Sequence, residues 1–357
     1  MFLQLQITDI RSIASATMRP QPGLNLITGA NGSGKTSVLE ALYIVTHGRS
    51  FRYRDPTPLI RAGAETYRVV AQFKSHLGTM HTLGIERARN DMQARLDSKP
   101  LSRRSDILNL LPVLCLDSDV QTLITGGPEL RRHFLDAGLF HTEPHYLACL
   151  QHYHRALEQR NAALKQASAD LIEWEVILHT QAERLDQWRA HYLDQLSPLV
   201  QGYQQEWQSD TELTLHYQRG WAPDLSLRDA LAKARDTDRK MKYTSVGPHR
   251  ADIAIRSQQV KGAKRLSRGQ LKMAAAALYF AQARLFQIQQ RKDSLLLFDD
   301  LAAELDQQNK AYLLKAVPDL FPQSFITALD TSDISSCYPD VTDVFHMEQG
   351  QLTTQKA

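Results

Sequence analysis

Cysteine is scarce in this chain, and so are long apolar runs and any surplus of one charge. Cys115, Cys149 and Cys337 lie far apart with no C-x-x-C spacing. That pattern argues against a disulfide framework or a structural zinc and fits a reducing compartment. The longest apolar stretch, residues 108–116, is interrupted by Asn109 and Pro112 and is too short to cross a bilayer. Met1-Phe2-Leu3-Gln4-Leu5-Gln6-Ile7 alternates like a strand and lacks the basic-then-apolar layout of a secretion signal. With 42 Lys and Arg against 39 Asp and Glu, the net charge is only +3, so any nucleic-acid surface must be a local patch. The expectation is a soluble, cytoplasmic protein with no membrane partner. Its 357 residues, 43% hydrophobic, suffice for one large core or two domains.

What the sequence does contain is Gly29-Ala30-Asn31-Gly32-Ser33-Gly34-Lys35-Thr36, which satisfies the phosphate-cradling pattern G-x-x-x-x-G-K-[ST]. An apolar, partly β-branched run at residues 24–28 precedes it, and Ser37-Val38-Leu39-Glu40-Ala41-Leu42 reads as the helix that follows. Glycines let the backbone wrap a polyphosphate, and amide N–H groups at a helix start point at its oxygens. Lys35 is placed to reach the β and γ phosphates of ATP, and Thr36 to sit on Mg²⁺. Far downstream, Leu295-Leu296-Leu297-Phe298-Asp299-Asp300 is an apolar strand ending in two carboxylates, the Walker B pattern. Asp299 would hold Mg²⁺, and Asp300 sits where a base or a water-orienting group is needed.

Residues 2–7 and 24–28 are expected as strands around a connection containing Asp9 to Ile13, followed by an antiparallel meander at 67–73, 80–86 and 93–96. From His145 to Ser197 there is no glycine or proline, with Pro144 and Pro198 at the ends. Leucines at 150, 157, 164, 171, 178 and 185 keep a seven-residue spacing, but Tyr153, Arg160 and Gln181 make a poor second seam. Two packed helices are expected, broken near Ser168-Ala169-Asp170, instead of one coiled coil. Together with 200–240 they form an arm inserted into the nucleotide-binding domain. The return to α/β brings strands at 253–255, 324–329 and, as the last, 344–347, with a helix over 268–290. His141-Thr142-Glu143-Pro144-His145 reads as a turn into a helix, because Pro144 stops the two histidines from aligning on one metal.

Leu266-Ser267-Arg268-Gly269-Gln270, roughly 25 residues before the Walker B strand, resembles the L-S-G-G-Q signature of ABC-type ATPases. Leu301-Ala302-Ala303-Glu304-Leu305-Asp306 resembles their D-loop. The resemblance implies that the signature of one copy, Ser267, Gly269 and Gln270, caps the nucleotide on the P-loop of another, so ATP joins two protomers and hydrolysis releases them. Two departures stand out. No switch histidine follows the strand in Phe325-Ile326-Thr327-Ala328-Leu329-Asp330, and the second Walker B residue is Asp300 instead of Glu, one methylene shorter. Slow hydrolysis is therefore expected, suited to a switch more than to a motor. A Q-loop equivalent is left among Gln121, Asp117 and Asp119.

Five further stretches resemble the RecF family, related to Rad50 and SMC heads: Asp9-Ile10-Arg11-Ser12-Ile13, Gly48-Arg49-Ser50-Phe51-Arg52, Gly127-Pro128-Glu129-Leu130-Arg131-Arg132-His133-Phe134-Leu135-Asp136, Gln159-Arg160-Asn161-Ala162-Ala163-Leu164-Lys165 and Gly247-Pro248-His249-Arg250-Ala251-Asp252. The family's fold would be α/β, an ABC-ATPase (Rad50/SMC head-like) P-loop domain over 1–125 and 243–357, with an inserted α-helical arm over 126–242. By the same likeness Arg11 contacts the nucleotide, with Arg49 or Arg52 near the phosphates. The implied activity is an ATP-dependent homodimer binding duplex DNA near single-strand gaps, with weak ATP hydrolysis, and aiding RecA loading with RecO and RecR. Arg103-Arg104, Arg131-Arg132, residues 239–242 and residues 261–265 are basic clusters that could together grip DNA phosphates without reading bases. The alternatives are an ABC ATPase subunit driving a transporter or another machine, and a structural SMC-like protein, for which the arm is short.

Overall fold

The alternation at the chain start becomes a strand pair, and both chain ends meet in one unit. The computed structural model describes the chain apart from residues 76–77, 102, 167–169, 210–211, 258–265, 291, 301–304, 339–340 and 357, and apart from the side chains of Arg104 and Lys356. The expected D-loop, the expected helix break at Ser168-Ala169 and the 261–265 basic cluster therefore fall wholly or mostly outside the described residues.

The chain divides into a unit of Met1–Val120 with Phe286–Ala357 and a unit of Gln121–Leu285. The first opens with β1 (Phe2–Ile10), β2 (Ile13–Met18) and β3 (Gly23–Thr28), then α1 (Lys35–His47). After it come β4 (Tyr67–Lys74), β5 (Met80–Arg87), β6 (Met92–Leu96), β7 (Lys99–Pro100), α2 (Arg104–Leu108) and β8 (Val113–Leu116). Strand order β2-β1-β4-β5-β6-β7 makes one antiparallel sheet, as the meander pattern predicts. The connection expected at residues 9–13 is in fact a two-residue turn, since Ile10 pairs with Ile13 and β2 returns beside β1.

The second sheet, β14-β13-β3-β12-β11-β8, is completed by β11 (Leu295–Phe298), β12 (Gln323–Thr327), β13 (Val341–Glu348) and β14 (Gln351–Lys356). Its strands from β8 to β13 are parallel. Every residue of β11 and β12 is buried; β11 reads as an unbroken apolar run for that reason, whereas β12 is buried with Gln323, Ser324 and Thr327 within it. The expectation that the strand at 344–347 is the last is corrected by β14, which pairs antiparallel with β13 across Gln349-Gly350, both at positive φ. α1 touches β1, β4 and β5 of one sheet and β8 and β12 of the other. Nine of its residues are buried, so it shows no single apolar stripe. Gln323, fully buried, bonds the Phe2 N–H and C=O at 2.7 and 2.9 Å and so ties the two sheets with its polar atoms satisfied.

The second unit holds α3 (Thr122–Thr125), α4 (Pro128–Thr142), α5 (Tyr146–Lys165), α6 (Ile172–Glu206), β9 (Leu213–Gln218), α7 (Leu227–Met241), β10 (Asp252–Ser257) and most of α8 (Arg268–Gln290). The two helices expected between 145 and 197 are α5 and α6, packed on each other. Leu157, Leu164, Leu171, Leu178 and Leu185 are all buried, while Tyr153 and Arg160 of the poor seam are buried as well and satisfied by polar partners. Pro198 does not end the helix but lies inside α6. It deprives Asp194 of its helical donor, and the neighbouring Ser197 hydroxyl donates to Leu193 O at 2.7 Å. Because β10 pairs with β9, this unit runs beyond the 126–242 expected for the arm. In the first unit, α9 (Gln307–Leu320) and α10 (Ser332–Ser335) flank β12 in the chain.

Candidate nucleotide-binding site

The carboxyl ends of β3, β11 and β12 lie side by side in the parallel sheet, which is where open α/β sheets place ligands. The P-loop leaves β3 and enters α1 with Gly29, Gly32 and Gly34 at φ of 143°, 80° and 117°. At Gly29 a Cβ would come within 2.3 Å of the Met347 carbonyl, so only glycine fits there. The loop is held from outside by the β13–β14 turn, where the Gly350 N–H donates to Ser33 O at 3.0 Å. Lys35 Nζ donates to the Gly29 and Ala30 carbonyls at 2.6 and 3.0 Å, folding its ammonium back over the loop. Burial pulls the Lys35 pKa below its ordinary value, opposed by the Asp300 and Asp299 carboxylates.

Asp299, at the end of β11, is 3% exposed and takes donors from three directions. Thr36 Oγ1 lies 3.1 and 3.2 Å from its two oxygens, Thr327 Oγ1 donates at 2.9 Å, and Arg52 pairs with it at 2.6 Å. Thr327 Oγ1 also accepts the Asp300 N–H at 2.6 Å, so one hydroxyl positions both Walker B residues. A threonine hydroxyl beside a carboxylate, with a second carboxylate next in the chain, is a hard-oxygen donor set that fits Mg²⁺ sharing phosphate ligands. Arg11, in the β1–β2 turn at φ 51°, pairs with the fully buried Glu40 of α1 at 2.7 Å and lies over Tyr53, 5.0 Å from its ring centroid. Burial pushes the Glu40 carboxyl up, while the Ser50 hydroxyl at 2.6 Å and the Arg11 and Arg52 charges pull it down.

Arg11, Lys35, Thr36, Arg52, Asp299, Asp300 and Thr327 are among the groups that line a cleft of about 550 Å³. Of the residues expected at the nucleotide, Arg11, Asn31, Gly32, Gly34, Lys35, Thr36, Ser37, Asp299 and Asp300 face it. Gly29, Ala30 and Ser33 form the loop behind without lining it. Ser12, Ser118 and Thr327 line it without having been singled out. The signal for Thr327 was its place at the carboxyl end of a buried strand, which runs parallel beside the Walker B strand. Of the two arginines in the S-F-R element, Arg52 lines the cleft, whereas Arg49 is exposed and does not. Ser118 lines it, but its neighbours Asp117 and Asp119 and the Q-loop candidate Gln121 do not.

Ser267, Gly269 and Gln270 belong to the second unit and do not line this cleft. They start α8 as a reciprocal cap, in which Ser267 Oγ accepts the Gln270 N–H at 3.2 Å and Gln270 Oε1 accepts the Ser267 N–H at 2.9 Å. The other diagnostic stretches tie the second unit together. Arg131 chelates Asp252 at 2.7 and 3.0 Å, Arg132 donates to Ala251 O, and Arg189 bridges Asp136 and the Pro248 carbonyl. The Arg131-Arg132 cluster is thus engaged internally and does not form an open basic surface, a correction of the sequence-based expectation. His145 introduces α5 with its N–H on the Glu143 carboxylate at 3.2 Å.

The family model for the RecF/RecN/SMC N-terminal domain matches residues 1–353. The chain is 35% identical over 356 residues to the DNA replication and repair protein RecF of Pseudomonas entomophila strain L48, covering 98% of this chain and 97% of the relative. It is 37% identical over 359 residues to that of Stenotrophomonas maltophilia strain R551-3, covering 98% of each. A solved structure of the recombination mediator protein RecF with ATP in the RecFOR pathway superposes with a TM-score of 0.88 at 25% identity, covering 99% of this chain and 97% of that one. An Smc head bound to the C-terminal winged-helix domain of ScpA shares the fold at a TM-score of 0.62 and 17% identity, covering 99% of this chain and 97% of that one. With the P-loop, the Walker B pair and the second-unit motifs all placed in one architecture, the chain belongs to the RecF family.

Proposed function

We propose that the chain is an ATP-switched, DNA-binding mediator of recombination and repair. In this reading two copies close on duplex DNA near single-strand gaps when ATP is bound, and slow hydrolysis lets them part. The observation that carries it is the convergence of Thr36, Thr327 and Arg52 on the buried Asp299 carboxylate at the mouth of the P-loop. The names of its relatives, replication and repair proteins and a mediator of the RecFOR pathway, support cytoplasmic work with RecO and RecR in aiding RecA. Among the described residues no helix is long and apolar enough to cross a membrane.

Lys35 would leave the Gly29 and Ala30 carbonyls to neutralise phosphate oxygens, while the N–H groups of Gly32 to Thr36 donate to them. Thr36 and Asp299 would hold Mg²⁺, which when bound neutralises charge on the phosphates. Arg52, released from Asp299, and Arg11, stationed by Glu40, add positive charge at the cleft wall. Asp300 orients the attacking water, and its short side chain keeps that step slow. Ser267, Gly269 and Gln270 would cap the nucleotide held by the partner copy.

Fluorescence anisotropy of labelled duplex DNA with ATP, ADP or no nucleotide tests the switch. Tight binding that needs ATP, and that falls at least ten-fold in both Lys35→Met and Thr327→Val, is the expected result (roughly what one lost charged contact costs). Binding indifferent to nucleotide in the native protein would separate DNA from the P-loop and overturn the reading.

A further inference from the structure

The basic cluster at the end of α7 has charges that the fold leaves open to a ligand. Arg239, Lys240 and Lys242 are exposed and make no ion pair among the described residues. From Arg239 through Ala251 the sequence carries no Asp or Glu. Tyr243 follows directly, 37% exposed, with the Arg250 guanidinium 5.0 Å from its ring centroid. Four cations and an aromatic ring thus share one tip of the second unit, and the carboxyl end of α7 itself favours positive charge there.

That tip is held rigidly from below. Lys242 takes a left-handed φ of 60°, which turns the chain out of α7. Immediately after Tyr243, the Thr244 N–H and hydroxyl both bond Asn161 Oδ1 at 2.8 Å. Arg160, fully buried, donates to Thr244 Oγ1 at 2.9 Å and to the equally buried Asp238 at 2.7 Å. Asp238 in turn accepts the Ser245 N–H and hydroxyl at 2.9 and 2.6 Å, and the His249 ring bonds Thr244 O at 3.0 Å. Residues of the Q-R-N and G-P-H-R stretches therefore do one shared job, which is to fix the backbone under an exposed Tyr flanked by cations.

We infer that Arg239, Lys240, Lys242 and Arg250 around Tyr243 form a DNA-contacting surface, gripping the phosphate backbone while Tyr243 stacks on an unpaired base. The inference rests on the reading of the chain as a DNA-binding mediator and names where that binding occurs. These exposed lysines and arginines suit phosphates of any sequence, with Asp236, one turn back on α7, the nearest exposed carboxylate in the chain. A ring with an arginine on it suits a base with no partner, as at the single-stranded side of a gap. An acidic protein partner would use the charges but would have no need of the ring.

The test titrates the full-length protein with ATP against labelled duplex, single-stranded and gapped DNA at several salt concentrations. The combined change Arg239→Ala, Lys240→Ala and Lys242→Ala should weaken all three DNAs by about ten-fold or more and make the slope of log K against log salt shallower by about two to three. Tyr243→Ala should weaken gapped and single-stranded DNA by about ten-fold and duplex little, and Tyr243→Phe should restore it. Fluorescent ATP affinity and the melting temperature of every variant should match the native protein. Native-like DNA binding by the triple variant overturns the assignment while leaving the ATP switch standing. Equal losses in Tyr243→Ala and Tyr243→Phe overturn the stacking role. A native protein that binds no DNA under ATP overturns the DNA-binding reading itself, and this surface with it.

Discussion

Single residues carry strain and polarity that make sense only as positioned groups. Arg11 and Asp300 both take left-handed backbone conformations that cost non-glycine residues roughly 1–2 kcal/mol, and both line the candidate cleft. Lys35, Thr36 and Asp299 were legible in the sequence because their motifs are local. The contact of Arg52 with Asp299 was not, since the two are 247 residues apart and nothing local couples them. His249 makes a sharper residue-level prediction. Its Nε2 meets the Thr244 carbonyl, which can only accept, so Nε2 carries the proton and Nδ1 accepts from the Tyr153 hydroxyl at 2.6 Å. Burial lowers its pKa from the ordinary 6.5 to about 4, with the Arg250, His154 and Arg132 charges adding to the effect. The unfolded chain therefore binds the extra proton first. This stability is fully present above pH 6.5 and is lost as pH falls toward 4, a change of up to about 3 kcal/mol. Urea midpoints between pH 7 and 4.5 should fall for the native protein and less for His249→Gln. Parallel curves would show that this imidazole is not the group responsible.

At the scale of elements, start signals read correctly where they were local, and end signals misled where a neighbour intervened. α8 begins at Arg268, as its alanine-rich pattern predicts, because Ser267 and Gln270 cap it reciprocally. Pro198 suggests a stop, yet α6 continues to Glu206, packed on α5 and α7. Helical order there comes from burial of Leu193, Leu196 and Val200 more than from propensity. The missed β2 and β14 are each the return arm of a tight hairpin, visible only once the first arm has a sheet to join. The α8 cap also separates two roles of Ser267. Ser267→Ala should cost about 1 kcal/mol through the lost cap, whereas Ser267→Asp should keep the cap. If Ser267 meets the phosphates held by a second copy, the Asp variant should still abolish ATP-dependent dimerisation, read by analytical ultracentrifugation. A dimer of native strength in Ser267→Asp would assign the residue to the cap alone.

At the scale of the whole molecule, the first unit is built from both chain ends and the second from the middle. Nucleotide should therefore stabilise them unequally. At ATP concentrations about 100 times Kd, linkage contributes about 2.7 kcal/mol, so amide exchange in α1 and β11 should slow by up to about a hundred-fold. At protein concentrations too low for dimers, α5 should exchange as before. Slowing of the same size in α5 would mean that the units respond as one. The sequence by itself determined the P-loop, the Walker B strand, the order of the main elements and the family, because each rests on residues adjacent in the chain or on a repeat the backbone geometry imposes. Only the tertiary structure decided which charges are spent inside and which remain outside. Arg131, Arg160 and Arg189 are buried among carboxylates and carbonyls, while Arg239 and Lys240 face solvent. Spelling cannot tell these arginines apart, because the partner that makes burial of a charge tolerable is supplied by chain tens to more than a hundred residues away.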